Sequence, residues 1–392
     1  MKKLIKKILK AFLKVLPLKK ILLFILPIKK IIIFESAPDL SDNTKAVFDE
    51  MIKRGINKKY KLFWFLSKPP ASPYPKIKNV KYLYNNNFRL SIYKLIVRLS
   101  AKCFICCNAW LGNSRPGQTS IYLSHGTTIK SLKGYYVMPP NIDYCLSAAE
   151  DVNFLCEKEL GAATEKIIAL GFPRNDILTN ADADLKAIWK DKDFEKVIVW
   201  YPTYRQHKNG KTVSAGSSLP IIHDSEQAKI LNETARKNKI LIVLKPHFAQ
   251  DLSYIKNMQL SNIIFIDDSF FAENNITSYE FVGSCDALIT DYSSIYYDFT
   301  LCDKPIALIW EDYEEYKESI GFADGVEEFL AGGEKVYTIE EFKSFVENVA
   351  NGIDNLKNQR NEVCRKVNYS KDGKNAQRVT DFIMQTIEKH KA

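Results

Sequence analysis

Short apolar runs alternate with longer amphipathic segments from residue 31 to about residue 370 of this chain. Apolar residues recurring at i, i+3 and i+4 mark the longer segments as helices. Continuous apolar strands separated by helices are typical of parallel sheets covered on both faces. The predicted strands are Ile31–Glu35, Lys61–Leu66, Cys103–Asn108, Ile121–Ser124, Tyr144–Ser147, Lys166–Leu170, Val197–Trp200, Ile240–Leu244, Ile263–Ile266, Ala287–Ile289 and Ile306–Ile309.

Two such series predict an α/β protein with two Rossmann-like, doubly wound domains. The polar stretch at residues 175–195 places the boundary between a first domain at 31–180 and a second at 190–370. A final helix is expected within residues 371–392, and residues 1–30 form a separate arm.

The arm carries the whole net charge of +10, because residues 1–30 contain ten lysines and no acid. Outside it the chain has 46 basic and 46 acidic residues, which disfavours a nucleic-acid partner. Apolar residues on one helical face and lysines on the other predict a helix lying on an anionic membrane surface. The uncharged run Ile21–Ile28 is shorter than the roughly 20 residues that span a bilayer. A basic arm for nucleic acid and an uncleaved signal anchor remain alternatives.

No metal or cofactor is expected. Cys103, Cys106 and Cys107 lie in an apolar segment without a second pair at ligand spacing, so the eight cysteines are interpreted as reduced core residues. The chain has neither a GxxxxGK[ST] loop nor a GxGxxG turn, which disfavours P-loop ATP hydrolysis and hydride transfer. No acidic cluster demands a divalent metal.

Polar residues follow the strands, where doubly wound sheets bind ligands. In the first half, His125 and Gly126 follow a strand, and Lys130 lies five residues beyond the histidine. The imidazole is suited to remove a proton from a hydroxyl, Gly126 permits a tight turn before a helix, and Lys130 attracts phosphate. A histidine with only a structural hydrogen bond is the alternative.

Cations follow the strands of the second half. "IVLKPH" ends in Lys245 and His247, and "YPTYR" gives Thr203 and Arg205. Arg174 of "GFPRND" lies in the expected linker region. Lysine, histidine and the planar guanidinium of arginine suit a diphosphate. Surface ion pairs are the alternative.

The segment "LITDYSSIYYDF" contains a turn that is suited to binding phosphate. Asp291 ends the strand and is expected among the donor contacts. Ser293 or Ser294 would begin a helix, where free N–H groups favour an anion. Asp298 lies one helical turn further and is expected to reach a ribose hydroxyl. A plain serine cap is the alternative. Together these strand ends predict a nucleotide-diphosphate donor.

The motifs "SHGTTIKSL", "GFPRND", "YPTYR", "LKPH" and "TDYSSIYYDFTLCDKPI" resemble the CDP-glycerol glycerophosphotransferase family over residues 30–370. The family includes wall teichoic acid primases and polymerases and related capsule polymerases. The resemblance implies a GT-B fold with the active site in the cleft. It also implies a peripheral enzyme on the cytoplasmic face of the membrane, which transfers glycerol phosphate from CDP-glycerol to a lipid-linked saccharide or glycerol-phosphate acceptor.

The resemblance also implies roles for single residues. His125 matches the general base, and His247 matches a second histidine on the donor diphosphate. Ser293, Ser294 and Arg205 match donor-phosphate ligands. The rivals are a transferase of the same fold that uses CDP-ribitol or a nucleotide-sugar, and a non-catalytic protein that binds a membrane surface or nucleic acid.

Overall fold

A computed structural model describes residues 22–69, 74–84, 88–132, 136–203, 219–246, 252, 255 and 258–389. Its strands are β1 Ile31–Glu35, β2 Lys61–Leu66, β3 Val80–Tyr84, β4 Cys103–Cys106, β5 Thr119–Tyr122, β6 Tyr144–Ser147, β7 Ile167–Ala169, β8 Lys196–Trp200, β9 Ile240–Leu244, β10 Ile263–Phe265, β11 Ala287–Thr290, β12 Ile306–Ile309 and β13 Glu334–Val336. Its α-helices are α1 Asp42–Lys53, α2 Phe88–Ser100, α3 Asn153–Leu160, α4 Leu185–Ile188, α5 Ser225–Lys237, α6 Asp268–Glu273, α7 Ser278–Ser284, α8 Ile295–Phe299, α9 Tyr313–Ser319, α10 Ile339–Asn351, α11 Lys357–Val367 and α12 Asn375–Lys389.

The strands form two sheets, which confirms the predicted α/β class. The first has seven strands in the order β3-β2-β1-β4-β5-β6-β7, and its neighbours from β3 to β6 pair in parallel. The second has six parallel strands in the order β10-β9-β8-β11-β12-β13. In both orders the chain builds outward in one direction and then in the other, as in doubly wound folds.

Two compact units make up the chain. In the described residues the first unit comprises 22–125, 138–146 and 376–389, and the second comprises 126–132, 136–137 and the described residues of 147–375. This grouping differs from the expected boundary at 175–195. The turns Pro173–Asp176 and Leu178–Asn180 belong to the second unit because Asn175 bonds to Asp298 there.

Burial explains why these strands form. All five residues of β9 and all four of β4, β5, β11 and β12 are buried. Their side chains are therefore removed from water on both faces of the sheet, which stabilises the strands. In the first unit the rings of Phe34, Phe48 and Trp64 pack with centroids 5.3–5.5 Å apart. In the second unit one apolar cluster joins β8, β9, α5 and α10.

All of the final helix α12 except its first residue, Asn375, belongs to the first unit. Within that unit Asp381 bonds to Arg54 at 2.6 Å, and Phe382 meets Tyr144 edge to face, with ring centroids 5.0 Å apart. The first unit is therefore assembled from three separate stretches of the sequence.

One expectation about the helices was wrong, and the expectation about the arm stays a prediction. Residues 126–132 are not helical, so Gly126 does not lead into a helix. Most of the arm, residues 1–21, lies outside the described residues. Within the described part of the chain, no helix has the length and apolar character needed to cross a bilayer.

Candidate active site

The points where strand order reverses locate the candidate sites. In open parallel sheets, ligands bind outside the carboxyl ends of the strands that flank this reversal. In the first sheet these strands are β1 and β4, and in the second they are β8 and β11.

In the first unit, His125 follows β5 and its ring is held by a carboxylate. Its Nδ1 bonds to Oδ2 of Asp42, the first residue of α1. Asp42 is buried, with 6% of its side chain exposed, whereas 64% of the His125 side chain is exposed. A carboxylate only accepts, so Nδ1 carries the proton of this bond, and in the neutral imidazole the lone pair is then on Nε2. That arrangement can remove a proton from a bound hydroxyl.

Two asparagines fix this pair. Nδ2 of Asn43 donates to the carbonyls of Leu123 and Ser124, at 3.1 and 3.2 Å, which holds the turn before His125. Nδ2 of Asn108, beyond β4, donates to Asp42 at 3.3 Å. Asp42 and Ser124 have φ of 63° and 56°, in the left-handed region that such residues rarely adopt. Strain of this kind is concentrated at functional sites.

Sequence reasoning did not find Asp42. It precedes His125 by 83 residues, so no local spacing connects the two. The available signal was an acidic residue at the start of a helix, which is more often a dipole or cap residue than a partner of a base.

In the second unit, a carboxylate ties together the two loops at the strand reversal. The amide of Thr203, beyond β8, donates to both oxygens of Asp291, at 3.0 and 2.9 Å. The amide of Tyr292 donates to the same carboxylate at 2.6 Å. Asp291 is 1% exposed. We therefore revise its expected role from donor contact to the positioning of these loops, since a buried carboxylate would repel phosphate.

Gly126, Arg174 and Ser294 converge beside this reversal. A Cβ added to Gly126 would lie 2.8 Å from Nη2 of Arg174 and 3.0 Å from Oγ of Ser294. The φ of Gly126 is +136°, which also disfavours any side chain. Only glycine leaves space where a guanidinium, a hydroxyl and the backbone could meet one anion.

Asp298 holds Arg174 in place. Its Oδ2 accepts from Nη2 of Arg174 at 2.8 Å and from the hydroxyl of Tyr279 at 2.6 Å, and its Oδ1 accepts from Asn175 at 2.9 Å. Asp298 is 1% exposed, so the expected contact with a ribose hydroxyl is replaced by a buried anchoring role. The same network shows that Arg174 is a buried residue of the second unit and not part of a linker.

The serine pair differs from a plain helix cap. Ser294 precedes α8, but its side chain makes no capping hydrogen bond, and its φ and ψ of −61° and −15° are already helical. Ser293 and Ser294 are both half-buried. The Ser294 hydroxyl is thus not used for the helix and lies beside Gly126.

The two predicted lysines of the second unit have local partners. Nζ of Lys245 lies 2.9 Å from Oδ1 of the exposed Asp268. Lys130 pairs through its backbone with Phe322, and its carbonyl accepts from Thr128 at 2.6 Å. Neither residue is thereby excluded from binding phosphate, because the surface ion pair of Lys245 is weak and exchanges readily, and the contacts named for Lys130 involve its backbone.

Other predicted features lie elsewhere. His247 and Arg205 lie outside the described residues. Among the residues that the structure describes, no group of three histidine, cysteine, aspartate or glutamate side chains could hold a metal ion. The eight cysteines are free thiols, and all except the half-buried Cys302 are buried. Burial raises the pKa of the Cys302 thiol to about 12, so it stays protonated.

Two doubly wound parallel sheets with polar residues at their reversal points define a GT-B-type α/β architecture. The chain belongs to the CDP-glycerol:poly(glycerophosphate) glycerophosphotransferase family, which it matches over residues 19–385. This confirms the resemblance found in the motifs.

Individual relatives agree. The chain is 24% identical to the teichoic acid glycerol-phosphate transferase of Staphylococcus aureus over 389 residues, covering 88% of this chain and 89% of that one. It is 24% identical to the S. aureus teichoic acid ribitol-phosphate polymerase TarL over 322 residues, covering 76% and 53%. It spans about half the length of several curated relatives that it matches. A structure of the wall teichoic acid polymerase TagF has the same fold, with a TM-score of 0.70, 22% identity and coverage of 92% and 90%.

Proposed function

We propose that this chain transfers glycerol phosphate from CDP-glycerol to a hydroxyl of a lipid-linked or polymeric acceptor and releases CMP. The reaction would belong to the synthesis of teichoic acid or a capsule-type polymer. The observation that carries the proposal is the convergence of Gly126, Arg174 and Ser294 at the reversal point of the second sheet. Family membership supports the choice of donor.

The acceptor step uses the first unit. His125 Nε2 takes the proton of the acceptor hydroxyl, and Asp42 stabilises the imidazolium that forms. The acceptor oxygen then forms a bond to the phosphorus that bears the glycerol. The bond from that phosphorus to the oxygen bridging to CMP breaks, and CMP leaves with the electron pair.

The donor contacts use the second unit. Ser293, Ser294, Arg174 and Lys245 would donate to diphosphate oxygens, together with Arg205 and His247 as the family resemblance implies. Donors held in place before the reaction stabilise the charge that develops on CMP. Thr203, Asp291 and Asp298 would position these groups.

Membrane association is the second part of the proposal. We assign it to the lysine-rich arm, with the enzyme peripheral on the cytoplasmic face, where anionic lipids attract basic helices. A lipid-linked acceptor would be reached from that surface.

The test incubates the purified chain with CDP-glycerol, CDP-ribitol and a panel of UDP- and GDP-sugars, with an acceptor present. We expect CMP release with glycerol phosphate transferred, and a fall of about 10²-fold or more in turnover for His125→Ala. Release of UDP or GDP with sugar transfer would overturn the proposal. Unchanged turnover in His125→Ala or His247→Ala would remove that residue from the mechanism.

CDP-ribitol is a second candidate donor. The similarity to the ribitol-phosphate polymerase TarL favours it, because its identity equals that of the glycerol-phosphate relative above. The two donors share the cytidine diphosphate, so the donor contacts would not change. The ratio of kcat/KM for the two donors decides between them.

A further inference from the structure

Helix α7 brings a tyrosine against the guanidinium of Arg174. Tyr279 is the second residue of α7, and the centroid of its ring lies 5.0 Å from Cζ of Arg174. Its hydroxyl donates at 2.6 Å to Oδ2 of Asp298, the oxygen that also accepts from Nη2 of Arg174 at 2.8 Å. Tyr279 therefore contacts the arginine directly, through its ring, and indirectly, through a shared carboxylate oxygen.

The first turn of α7 is a firm support for this ring. In a capping box, the hydroxyl of Thr277 accepts from the amide of Glu280 at 3.1 Å, and the carboxylate of Glu280 accepts from the amide of Thr277 at 3.3 Å. Further along the helix, a Cβ added to Gly283 would lie 3.0 Å from the carbonyl oxygen of Leu178, in the turn that follows Arg174. The tyrosine and the arginine are thus carried by closely packed elements of the second unit.

The tyrosine hydroxyl also affects the balance of charge at Asp298. This buried carboxylate accepts from Arg174, from Tyr279 and from Nδ2 of Asn175. Neutral donors stabilise part of the charge of a buried carboxylate, so the guanidinium does not have to balance all of it. An arginine that is fully neutralised by one carboxylate attracts a phosphate weakly. The hydroxyl therefore leaves Arg174 more of its attraction for a second anion.

The position of Nη2 decides whether Arg174 faces the space at Gly126. That atom lies 2.8 Å from a Cβ added to Gly126, and the hydroxyl of Ser294 lies 3.0 Å from the same point. Without the tyrosine hydroxyl, a buried oxygen of Asp298 would lose one of its donors, which is costly in a protein interior. The carboxylate, and with it the guanidinium, would then shift to regain a hydrogen bond.

We propose that Tyr279 is a positioning residue for donor binding, which directs the guanidinium of Arg174 towards the diphosphate. Tyr279 acts through its ring and through Asp298, and not by touching the ligand. The inference rests on the proposed function, because that function assigns Arg174 to the donor diphosphate. Tyr279 lies on a helix that follows another helix, α6, so the pattern of polar residues after strands did not indicate it.

Binding of inorganic pyrophosphate tests this role without requiring turnover. Pyrophosphate is titrated calorimetrically into the wild-type chain and into Tyr279→Phe. Phenylalanine keeps the ring beside Arg174 and removes only the hydroxyl. We expect the affinity for pyrophosphate to fall at least ~5-fold, because the charge-assisted bonds from Arg174 to the ligand are misdirected.

Tyr296→Phe is the matched control, since it removes a hydroxyl from a buried tyrosine of the same unit. The Tyr296 hydroxyl accepts from the amide of Gly332 at 3.0 Å. Its loss should lower the midpoint of thermal unfolding and leave the affinity for pyrophosphate unchanged. Equal losses of affinity in Tyr296→Phe and Tyr279→Phe would overturn the proposal, by showing a general effect of destabilisation.

A double-mutant cycle measures whether the effect passes through Arg174. Arg174→Lys keeps a charge beside Asp298 but lacks the planar group that Tyr279 directs. In that background, Tyr279→Phe should lower the affinity for pyrophosphate by less than about 2-fold. In transfer assays with the wild-type arginine, Tyr279→Phe should raise the KM for CDP-glycerol and leave the KM for the acceptor unchanged.

The outcomes separate this inference from the proposed function. If the wild-type chain transfers no glycerol phosphate, yet its binding of pyrophosphate depends on Tyr279 and Arg174 as described, the proposed function fails and the positioning role stands. If transfer occurs and Tyr279→Phe binds pyrophosphate as tightly as wild type, the positioning role is overturned. Equal losses from Tyr279→Phe in the wild-type and Arg174→Lys backgrounds also overturn it, because the tyrosine would not act through the guanidinium.

Discussion

The carboxylate of Asp42 determines which ring nitrogen of His125 carries the proton. Asp42 is buried, it lies in a left-handed backbone conformation, and it accepts from the ring of His125. A neutral amide at this position would bond to the ring in either tautomer. The proton would then no longer be confined to Nδ1.

We therefore expect Asp42→Asn to lower kcat by about 10²–10⁴-fold without unfolding the protein. Asparagine tolerates left-handed φ as well as aspartate does, and its oxygen can still accept from the amide of Asn43. The measurement is steady-state kinetics over a range of pH, together with thermal unfolding. A variant with wild-type kcat would show that Asp42 does not act through His125.

A side chain at Gly126 would collide with Arg174 and Ser294. Gly126→Ala should weaken CDP-glycerol binding at least ~10-fold, since Arg174 is fixed by Asp298 and cannot move away from the new methyl group. Backbone strain should also lower the free energy of unfolding by about 1–3 kcal/mol.

Gly352→Ala is the matched control for this substitution. Gly352 has a φ of +71°, but an added Cβ there meets no atom within 4 Å. It should lose stability and keep donor affinity. Equal donor affinity in the two alanine variants would contradict the role given to Gly126.

The turn at Ser293 and Ser294 before α8 differs from the start of α10, where a side chain does cap the helix. The side chain of Thr338 accepts from the amide of Glu341 at 3.2 Å in a capping box at the start of α10. Thr338→Ala should therefore cost about 1 kcal/mol of stability and leave CDP-glycerol affinity unchanged.

Ser294→Ala should show the opposite result. Because its hydroxyl does not cap α8, stability should change by no more than about 0.5 kcal/mol, while donor affinity falls several-fold. Chemical denaturation and calorimetric titration measure the two effects. A stability loss in Ser294→Ala as large as that of Thr338→Ala, with no effect on the donor, would restore the plain-cap interpretation.

The elements also show what sequence can predict. Interior strands such as β9 and β12 were predicted correctly because both of their faces are buried, so the whole run is apolar. The edge strands β3 and β13 were missed, since their mixed sequences "VKYLY" and "EKV" bury only some positions.

The sequence predicted which residues of the candidate site follow the strands, but it did not predict which residues contact one another. Residues that follow strands, including His125 and Ser294, were found because strand ends in doubly wound folds bind ligands. The partners of those residues were not found. Asp298 was expected to face a ligand, but its burial against Arg174 depends on a contact 124 residues away in sequence. No local pattern encodes such a contact.

The lysine-rich arm, residues 1–30, is expected to determine whether the protein binds an anionic membrane surface. Deleting residues 1–21 removes eight lysines and should weaken binding to vesicles that contain anionic lipid at least ~10-fold. Transfer to a soluble acceptor should remain close to wild type. Vesicle sedimentation and a transfer assay measure the two properties.

Vesicles of neutral lipid are the control, and neither form should bind them strongly. Loss of transfer to the soluble acceptor in the truncated chain would contradict a purely targeting role for the arm. Undiminished binding to anionic vesicles would assign the membrane contact to another part of the chain.

The three-part composition of the first unit has a consequence for biosynthesis. About 230 residues separate its second segment, which ends at Leu146, from its third, which starts at Ala376. At a ribosomal speed of 5–20 residues per second, roughly 10–50 s pass between them. During that interval the partner surfaces of α12, such as Arg54 and Tyr144, remain uncovered on the nascent chain. The unit that emerges first from the ribosome is thus the last to be completed.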